Sequence, residues 1–272
     1  MRHSTWSVMV LLCSLLVFAP PAAAVDGVVL IHQGTSVNGL PGCPHAGFPI
    51  LICHSGSYRL AANLDVSAVN TDAIDITVDN VTLDLNGFTI SGPSVCTGPP
   101  VQCTNVGTGK GVLSQFRGTT VRNGTVRGFG TGLILGSMAV ADSVRAESNS
   151  DVNFGGILVG DGLVIHCTAN LNAGSGILGG SVVSFNSATA NGAFGIFGGA
   201  TVSNNTVSFN GLDGIHDAFT MLFNTSWDNV GAGITTGFVE AGYMGNVVLG
   251  NQGGTISGGH SMGQNLCDGV AC

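Results

Sequence analysis

A Gly-Ile step recurs at nearly constant spacing through the second half of the chain. It occurs at Gly156-Ile157, Gly176-Ile177, Gly195-Ile196, Gly214-Ile215 and Gly233-Ile234, and the successive spacings are 20, 19, 19 and 19. Five positions before the last four isoleucines lie Asn172, Asn191, Asn210 and Asn229, and five positions earlier still lie Cys167, Asn186, Asn205 and Asn224. A short unit repeated in register is typical of a solenoid, in which each unit packs only against its neighbours.

Each unit contains three short strand-like segments separated by turn residues. One unit reads Thr201-Val202, then Thr206-Val207-Ser208, then Gly214-Ile215-His216, with Asn, Gly and Asp between them. Nineteen extended residues would span about 60 Å at about 3.3 Å each, so the chain must fold back within each unit. The pattern predicts an all-β fold, a single-stranded right-handed parallel β-helix with three short strands per turn, because parallel crossovers are almost always right-handed.

The columns of the repeat predict which side chains are buried. The isoleucines of the Gly-Ile steps are expected to point inward, together with Ala146, Ala169, Ala188 and Val207. A second column is expected to form an asparagine ladder, because a buried amide must be hydrogen-bonded. This ladder column consists of Cys167, Asn186, Asn205, Asn224 and Asn246. Beside it, an outward polar column consists of Thr168, Ser187, Thr206 and Thr225.

Leu158, Leu178 and Phe197 each follow an inward isoleucine, so strand alternation predicts that they point outward. Exposed apolar stripes often mark interfaces, which favours self-association through these three residues. The alternative is that a loop at residues 91–110 covers them.

Residues 1–24 differ in kind from the rest of the chain. Arg2, the apolar run from Val8 to Phe18 and Ala22-Ala23-Ala24 are typical of a secretory signal peptide cleaved before Val25. The apolar run is shorter than the roughly 20 residues that span a bilayer, so no transmembrane segment is expected after signal removal. The protein is therefore expected to be secreted, to the extracellular space, the cell surface or the periplasm.

The remaining chain divides by regularity. Residues 25–57 are irregular and are predicted to form an N-terminal cap, because an open solenoid end exposes its core and strand edges. Residues 58–252 are predicted to form the β-helix, with a loop insertion at 91–110 that is rich in proline. Residues 253–272, where the spacing lapses, are predicted to be a C-terminal tail. Almost no helix is expected after residue 25, because glycine and β-branched residues disfavour it.

Seven cysteines remain after the signal peptide, and in an exported chain they should be oxidised. Nearness in sequence suggests Cys43 with Cys53, Cys96 with Cys103, and Cys267 with Cys272, although spacing leaves the connectivity open. Cys167 is left over. Its place in the ladder column favours a buried unpaired thiol over a reactive one.

The charge balance excludes one class of partner. Loss of Arg2 with the signal leaves six bases against 15 acids, a net charge of −9, and no base follows Arg145. An acidic surface repels phosphate backbones, so no nucleic acid is expected as a partner. Paired Cys/His metal spacings and nucleotide-binding loops are absent from the sequence, so neither a metal nor another cofactor is expected.

The glycine-rich units, with 79–88 upstream of the segment 205–215, resemble right-handed parallel β-helix repeat proteins of the pectin-lyase-like superfamily over roughly residues 58–252. That resemblance implies the β-helix fold, but the activities of its members range from polysaccharide lyases and hydrolases to sugar-binding and surface proteins. The Gly-His-Gly and Arg-x-Lys motifs of the family's galacturonan hydrolases are absent. The segment most similar to the Gly-His-Gly motif, Gly258-Gly259-His260-Ser261, lies in the predicted tail. Family lyases place calcium-binding aspartates near an arginine base, whereas every arginine here precedes residue 146.

One cluster of ionisable residues is a candidate catalytic site. Asp213, His216 and Asp217 surround a predicted strand, with Asp228 and Glu240 about one turn further on. Glycoside hydrolysis needs two carboxyl groups beside the scissile bond. The competing interpretation is that the two aspartates are turn residues that bond to backbone and that His216 is a solvated strand residue.

The sequence thus favours a non-catalytic surface or carbohydrate-binding protein, with polysaccharide as the partner. The outward threonine column and Trp227 supply polar and aromatic positions for such a ligand. The alternative function is that of a polysaccharide lyase or glycoside hydrolase.

Overall fold

The computed structural model describes residues 27–43 and 45–272; the predicted signal peptide lies outside the described residues. The chain forms a parallel β-solenoid of about ten turns, built from three stacks of strands that we name the first, second and third sheets. Helix in the described ranges is confined to the four residues Thr35–Asn38. The predicted parallel β-helix is confirmed.

The first sheet contains one strand from each turn, and these strands carry the isoleucine column. Its strands are Ile50–Ile52, Ile74–Ile76, Lys110–Ser114, the start of Thr131–Glu147, the start of Ile157–Ile165, Ile177–Gly179, Ile196–Phe197, Ile215–His216, Ile234–Thr235 and Ile256–Ser257.

The second and third sheets follow in each turn, and three long strands bend from one sheet into the next. The second sheet contains Val28–Ile31, Gly56–Leu60, Val81–Asp84, the start of Thr120–Arg127, the middle of Thr131–Glu147, the end of Ile157–Ile165, Val182–Ser184, Thr201–Ser203, Thr220–Leu222, Gly242–Met244 and His260–Ser261. The third sheet contains Leu64–Asp65, Thr89–Ser91, the ends of Thr120–Arg127 and Thr131–Glu147, Thr168–Asn170, Ser187–Thr189, Thr206–Ser208, Thr225–Trp227, Val247–Leu249 and Leu266–Cys267.

The core is a set of columns in which one inward residue from each turn stacks on the next. The five repeat isoleucines pair in register along the first sheet and are fully buried, as predicted. The predicted inward residues of the third sheet, Ala146, Ala169, Ala188 and Val207, are also fully buried. Burial of each isoleucine side chain stabilises the fold by about 2 kcal/mol, so the constant spacing of the repeat is dictated by this stacking.

The predicted asparagine ladder lies at the corner between the second and third sheets. Asn205 is typical: its Oδ1 accepts hydrogen bonds from the Asn186 backbone N–H at 2.9 Å and Nδ2 at 3.0 Å. Its own Nδ2 donates to the Val183 carbonyl at 2.9 Å and to Asn224 Oδ1 at 3.0 Å. Each amide therefore satisfies the backbone of one turn and the side chain of the next. The same pattern continues through Asn246 to Asn265.

A second ladder, which the sequence was not interpreted to contain, lies at the corner between the third and first sheets. It consists of Asn149, Asn172, Asn191, Asn210, Asn229 and Asn251. The sequence interpretation placed Asn210 in a turn, and this is correct for the backbone. Its side chain, however, is fully buried and donates to Asn229 Oδ1 at 2.8 Å.

The residue before most ladder asparagines is in the left-handed conformation, which turns the chain and directs its own side chain outward. Asn204 (φ 56°) precedes Asn205, and Phe209 (φ 56°) precedes Asn210. Bulky residues rarely adopt this conformation. Even so, phenylalanines are found at such corners, and Phe185 (φ 59°) leaves 58% of its surface exposed.

Both predicted end segments contribute strands to the coil. Val28–Ile31 and Ile50–Ile52, within the predicted cap, pair in parallel with Gly56–Leu60 and Ile74–Ile76. In the segment 253–272, predicted as a tail, one strand joins each sheet and Val270–Ala271 pairs antiparallel with Leu266–Cys267. Regular stacking thus extends beyond the range 58–252, because Ile256 stacks on Ile234 and Asn265 follows Asn246 at the regular spacing of 19 residues.

The insertion 91–110 leaves the third sheet and returns to the first. It contains an antiparallel hairpin of Val95–Thr97 and Gln102–Thr104, cross-linked by the Cys96–Cys103 disulfide. Ser94 Oγ lies 3.2 Å from Ser150 Oγ, which also accepts a bond from the Gly107 N–H at 3.4 Å. These bonds hold the base of the hairpin on the corner between the third and first sheets.

The other neighbouring cysteines also form disulfides, Cys43–Cys53 and Cys267–Cys272. Cys167 is free and buried at the start of the first ladder. Its thiol donates to the Ala141 carbonyl at 3.4 Å, the place that an amide Nδ2 takes in other rungs. Burial raises the pKa of this thiol to about 12, which leaves it protonated and unreactive at neutral pH.

Candidate functional site

The structure brings Asp213, His216 and Asp217 together at the outer surface of the first sheet. His216 Nδ1 lies 2.7 Å from Asp213 Oδ2, and His216 Nε2 lies 3.5 Å from Asp217 Oδ2. The imidazole therefore lies between two carboxylates. The Nδ1 contact with Asp213 is a hydrogen bond, whereas the Nε2 contact with Asp217 is longer.

The coil geometry places each of these residues. Asp213 lies at the corner before the strand Ile215–His216, and the inward Ile215 forces His216 to point outward. Asp217 follows the strand in the left-handed conformation (φ 54°), which aspartate tolerates better than most residues. Three residues spaced 213, 216 and 217 therefore meet because a short strand lies between two tight bends.

Two phenylalanines of the preceding turn complete the cluster. Phe194 stacks on His216 with ring centroids 4.3 Å apart and an interplanar angle of 25°. Phe197 lies directly beneath His216 in the first sheet, with centroids 5.5 Å apart and an angle of 14°. Phe194 lies one repeat unit before Asp213, so the same repeat that revealed the isoleucines contained this contact. The sequence interpretation did not include Phe194.

Three of the four carboxylate oxygens of the cluster have a hydrogen-bond partner. Asp213 Oδ1 accepts from the Ala232 N–H at 2.7 Å, and Asp217 Oδ1 accepts from the Gly237 N–H at 2.9 Å. Asp213 Oδ2 is hydrogen-bonded to His216 Nδ1, and Asp217 Oδ2 lies 3.5 Å from His216 Nε2. The aspartates thus bond to the backbone of the next turn, much as expected if they are turn residues. The His216 side chain, in contrast, is only 25% exposed and is not freely solvated.

This arrangement differs from that of a glycoside hydrolase. Such enzymes place one protonated carboxyl group and one carboxylate on either side of the scissile bond, free to exchange protons with substrate or water. Here the imidazole fills the space between the carboxylates. A stacked aromatic surface bordered by fixed hydrogen-bond acceptors can orient a ligand without supplying a free acid and base.

Other residues singled out in the sequence lie elsewhere. Asp228 is at the corner between the third and first sheets, in the position equivalent to Phe209, and Glu240 is in an exposed turn. His260 begins the exposed second-sheet strand His260–Ser261, so it lies on a strand although the sequence placed it in a tail. None of these three side chains joins His216 in the described cluster.

The apolar stripe of the first sheet is longer than predicted. Leu158, Leu178 and Phe197 pair in register on its outer surface and are half-buried. Leu113 and Ile134, two residues that the sequence interpretation did not include, extend the same column by two turns towards the N-terminus. The base of the 91–110 hairpin forms its hydrogen bonds at the neighbouring corner between the third and first sheets. The apolar stripe ends at His216.

Within the described ranges, one group of side chains has the spacing of a metal site, Cys43, Cys53 and His54. The two sulfurs form a disulfide and so are not thiolate ligands. No helix in the part of the chain that the structure describes is long and apolar enough to cross a membrane.

No protein-family model matches the sequence, and no curated protein matches it. Among solved structures, the crystal structure of the Dettilon tailspike protein (gp208) is similar to this chain, with a TM-score of 0.46 and 16% sequence identity. The aligned region covers 75% of this chain and 48% of the tailspike chain, so the chain spans about half of the length of that protein.

Proposed function

We propose that this protein binds polysaccharide through the first-sheet surface around His216 and does not cleave it. The observation that carries the proposal is that three of the four carboxylate oxygens of Asp213 and Asp217 are hydrogen-bonded to His216 or to backbone N–H groups, while the fourth lies 3.5 Å from His216 Nε2. Carboxylates held in this way accept hydrogen bonds from hydroxyl groups but are poorly placed to transfer protons.

The aromatic part of the cluster supports a sugar as the ligand. Pyranose rings have apolar C–H faces and a polar edge, so they match an aromatic surface bordered by hydrogen-bond acceptors. Phe194, Phe197 and His216 form such a surface, and Asp213 and Asp217 lie at its border. The outward threonines of the third sheet add polar positions on a neighbouring face.

Retention on immobilised polysaccharides, read together with the release of reducing or unsaturated ends, tests this proposal. Phe197→Ala is expected to weaken binding about fivefold to tenfold, since loss of one aromatic contact removes about 1 kcal/mol. Phe185→Ala, at an exposed corner on another face, is the matched control and should bind as the unaltered protein does.

The double variant Asp213→Asn, Asp217→Asn separates binding from cleavage. Each asparagine keeps an oxygen that can accept the hydrogen bond from the backbone N–H, but it lacks the ionisable carboxyl group that cleavage would need. New sugar ends released by the unaltered protein and lost in this variant would establish the alternative, a polysaccharide lyase or glycoside hydrolase. Retention without product in both proteins supports binding alone.

Self-association through the first sheet is a second proposal, supported by the continuous column Leu113, Ile134, Leu158, Leu178 and Phe197. Apolar stripes of this length on an outer surface are typical of interfaces. Sedimentation velocity at rising concentration measures it directly, and a monomer at all concentrations would refute it.

We further propose that the protein is secreted. Its three disulfides are typical of proteins from oxidising compartments. Detection of a chain beginning at Val25 in an extracellular or periplasmic fraction, by N-terminal sequencing, tests both the export and the cleavage site.

A further inference from the structure

A groove of about 480 Å³ lies between the tip of the 91–110 hairpin and the corner that joins the third and first sheets. The tip supplies Pro99, Pro100 and Val101 as one wall. The corner supplies the floor and the other wall through Ala173, Gly192, Gly211, Val230 and Phe209, with Asn191 beneath.

The floor is flat because the coil requires small residues there. A Cβ added to Gly192 would lie 2.2 Å from the Ala173 carbonyl oxygen, and one added to Gly211 would lie 2.2 Å from the Gly192 carbonyl oxygen. Successive turns are about 4.8 Å apart, so the floor from Ala173 to Val230 extends over about 14 Å. That length accommodates two to three pyranose units of a linear chain.

An aromatic side chain forms one wall of this groove. Phe209 is 40% exposed and packs edge-to-face on Trp227, with ring centroids 4.5 Å apart. Trp227 therefore packs against the Phe209 ring, which also lines the groove. The proline pair opposite Phe209 is rigid, so little side-chain entropy would be lost when a ligand is enclosed.

The charge of the groove selects the class of ligand. All nine lining residues are uncharged. No lysine or arginine follows Arg145 in the chain, and the ionisable residues nearest in sequence to the floor are acids: Asp213 lies two residues after Gly211, and Asp228 lies two residues before Val230. A uronate carboxylate would therefore find no cationic side chain among the lining residues.

We propose that this groove is a binding subsite for an uncharged segment of a linear glycan. The inference rests on the proposed function, because Gly211-Leu212-Asp213 connects the groove floor directly to the His216 cluster. It adds a second contact region, a neutral ligand class and a role for the disulfide-linked hairpin.

Trp227 provides a local readout. The chain contains two tryptophans, and Trp6 lies in the predicted signal peptide, so Trp227 is the only tryptophan fluorophore of a chain that begins at Val25. Titration with linear hexasaccharides of glucose, mannose and xylose, and with a galacturonate hexamer, should change Trp227 fluorescence for at least one neutral sugar. The galacturonate hexamer should bind at least about tenfold more weakly than that sugar.

Two groove variants test the assignment, with calorimetry as an independent measure of Kd. Phe209→Ala should weaken binding of the neutral hexamer about fivefold to tenfold by removing the aromatic wall. The double variant Cys96→Ser, Cys103→Ser should weaken it by a similar factor, because a hairpin of two three-residue strands is not stable without its cross-link. The matched controls are Phe185→Ala, also a left-handed corner phenylalanine, and the double variant Cys267→Ser, Cys272→Ser. Both should leave Kd unchanged.

The outcomes separate the two proposals. If Phe197→Ala weakens neutral binding but both groove variants retain the original Kd, the groove is not a subsite while the proposed function stands. Tighter binding of the galacturonate hexamer than of every neutral sugar would overturn the charge argument. If no hexamer binds the unaltered protein below about 1 mM, both proposals fail together.

Discussion

Replacement of one ladder asparagine should destabilise the protein far more than replacement of its sequence neighbour. Asn204 and Asn205 are adjacent and identical in type, yet only Asn205 is buried. We therefore compare Asn205→Ala with Asn204→Gly. Glycine suits the left-handed backbone of residue 204 (φ 56°), so that change should alter the free energy of unfolding by no more than about 0.5 kcal/mol.

The magnitude for Asn205→Ala follows from its hydrogen bonds. Loss of Oδ1 leaves the Asn186 backbone N–H without its acceptor and one Asn186 Nδ2 hydrogen unpaired, both in the core. A buried donor without a partner costs about 2 kcal/mol, so two of them predict a loss of about 4 kcal/mol. This is a large part of the roughly 5–15 kcal/mol that typically stabilises a domain.

Urea unfolding followed by far-UV circular dichroism measures both variants, and hydrogen exchange at the Asn186 amide reports the lost acceptor locally. Protection of that amide should fall in Asn205→Ala and remain in Asn204→Gly. A loss below about 1 kcal/mol for Asn205→Ala, with the Asn186 amide still protected, would refute the proposed energetic role of the ladder.

Three further perturbations test other parts of the structure. Burial raises the pKa of Cys167 from 9.0 to about 12, so the unfolded chain releases this proton at a lower pH than the folded protein does. The contribution of this thiol to stability is therefore fully present below pH 9. Between pH 9 and 12 the free energy of unfolding should fall by up to about 1.4 kcal/mol per pH unit. Urea midpoints at pH 8 and pH 10.5 should therefore differ less in Cys167→Ala than in the unaltered protein. Gly211→Ala should cost more than about 2 kcal/mol, because its Cβ would overlap the Gly192 carbonyl oxygen, whereas Gly160→Ala, with its nearest atom at 3.4 Å, should be tolerated; thermal unfolding compares the two. Leu178→Lys should abolish concentration-dependent sedimentation with no change in the circular dichroism spectrum, and persistent association would contradict an interface on the first sheet.

Much of the fold could be predicted from the repeat because stacking imposes the same constraint on every turn. The isoleucine column and the first asparagine ladder needed only the constant spacing of the repeat and the rule that buried amides must be paired. The second ladder carries the same spacing at Asn172, Asn191, Asn210 and Asn229. Of these, Asn210 is predicted to lie in a turn, because asparagine is favoured both in turns and in ladders and local preference does not distinguish them.

The candidate site was predictable only in part. Asp213, His216 and Asp217 are close in sequence, so their proximity follows from a short strand between two bends. The contact with Phe194 and Phe197 depends on the register between turns, and that register also lies behind the extension of the apolar stripe to Leu113 and Ile134. Occupancy of the carboxylate oxygens by the backbone of the following turn depends on bond distances that no spacing reports.

The sequence by itself determined that the chain is a coil with three strands per turn, which columns fill its core and that the insertion 91–110 interrupts it, because a solenoid repeats one local solution along a single axis. Only the tertiary structure decided what faces what across that axis. It placed the disulfide-linked hairpin tip opposite Phe209 and closed both aspartates onto His216. Such contacts depend on the path of an irregular insertion and on side-chain directions at the corners, which the repeat does not encode.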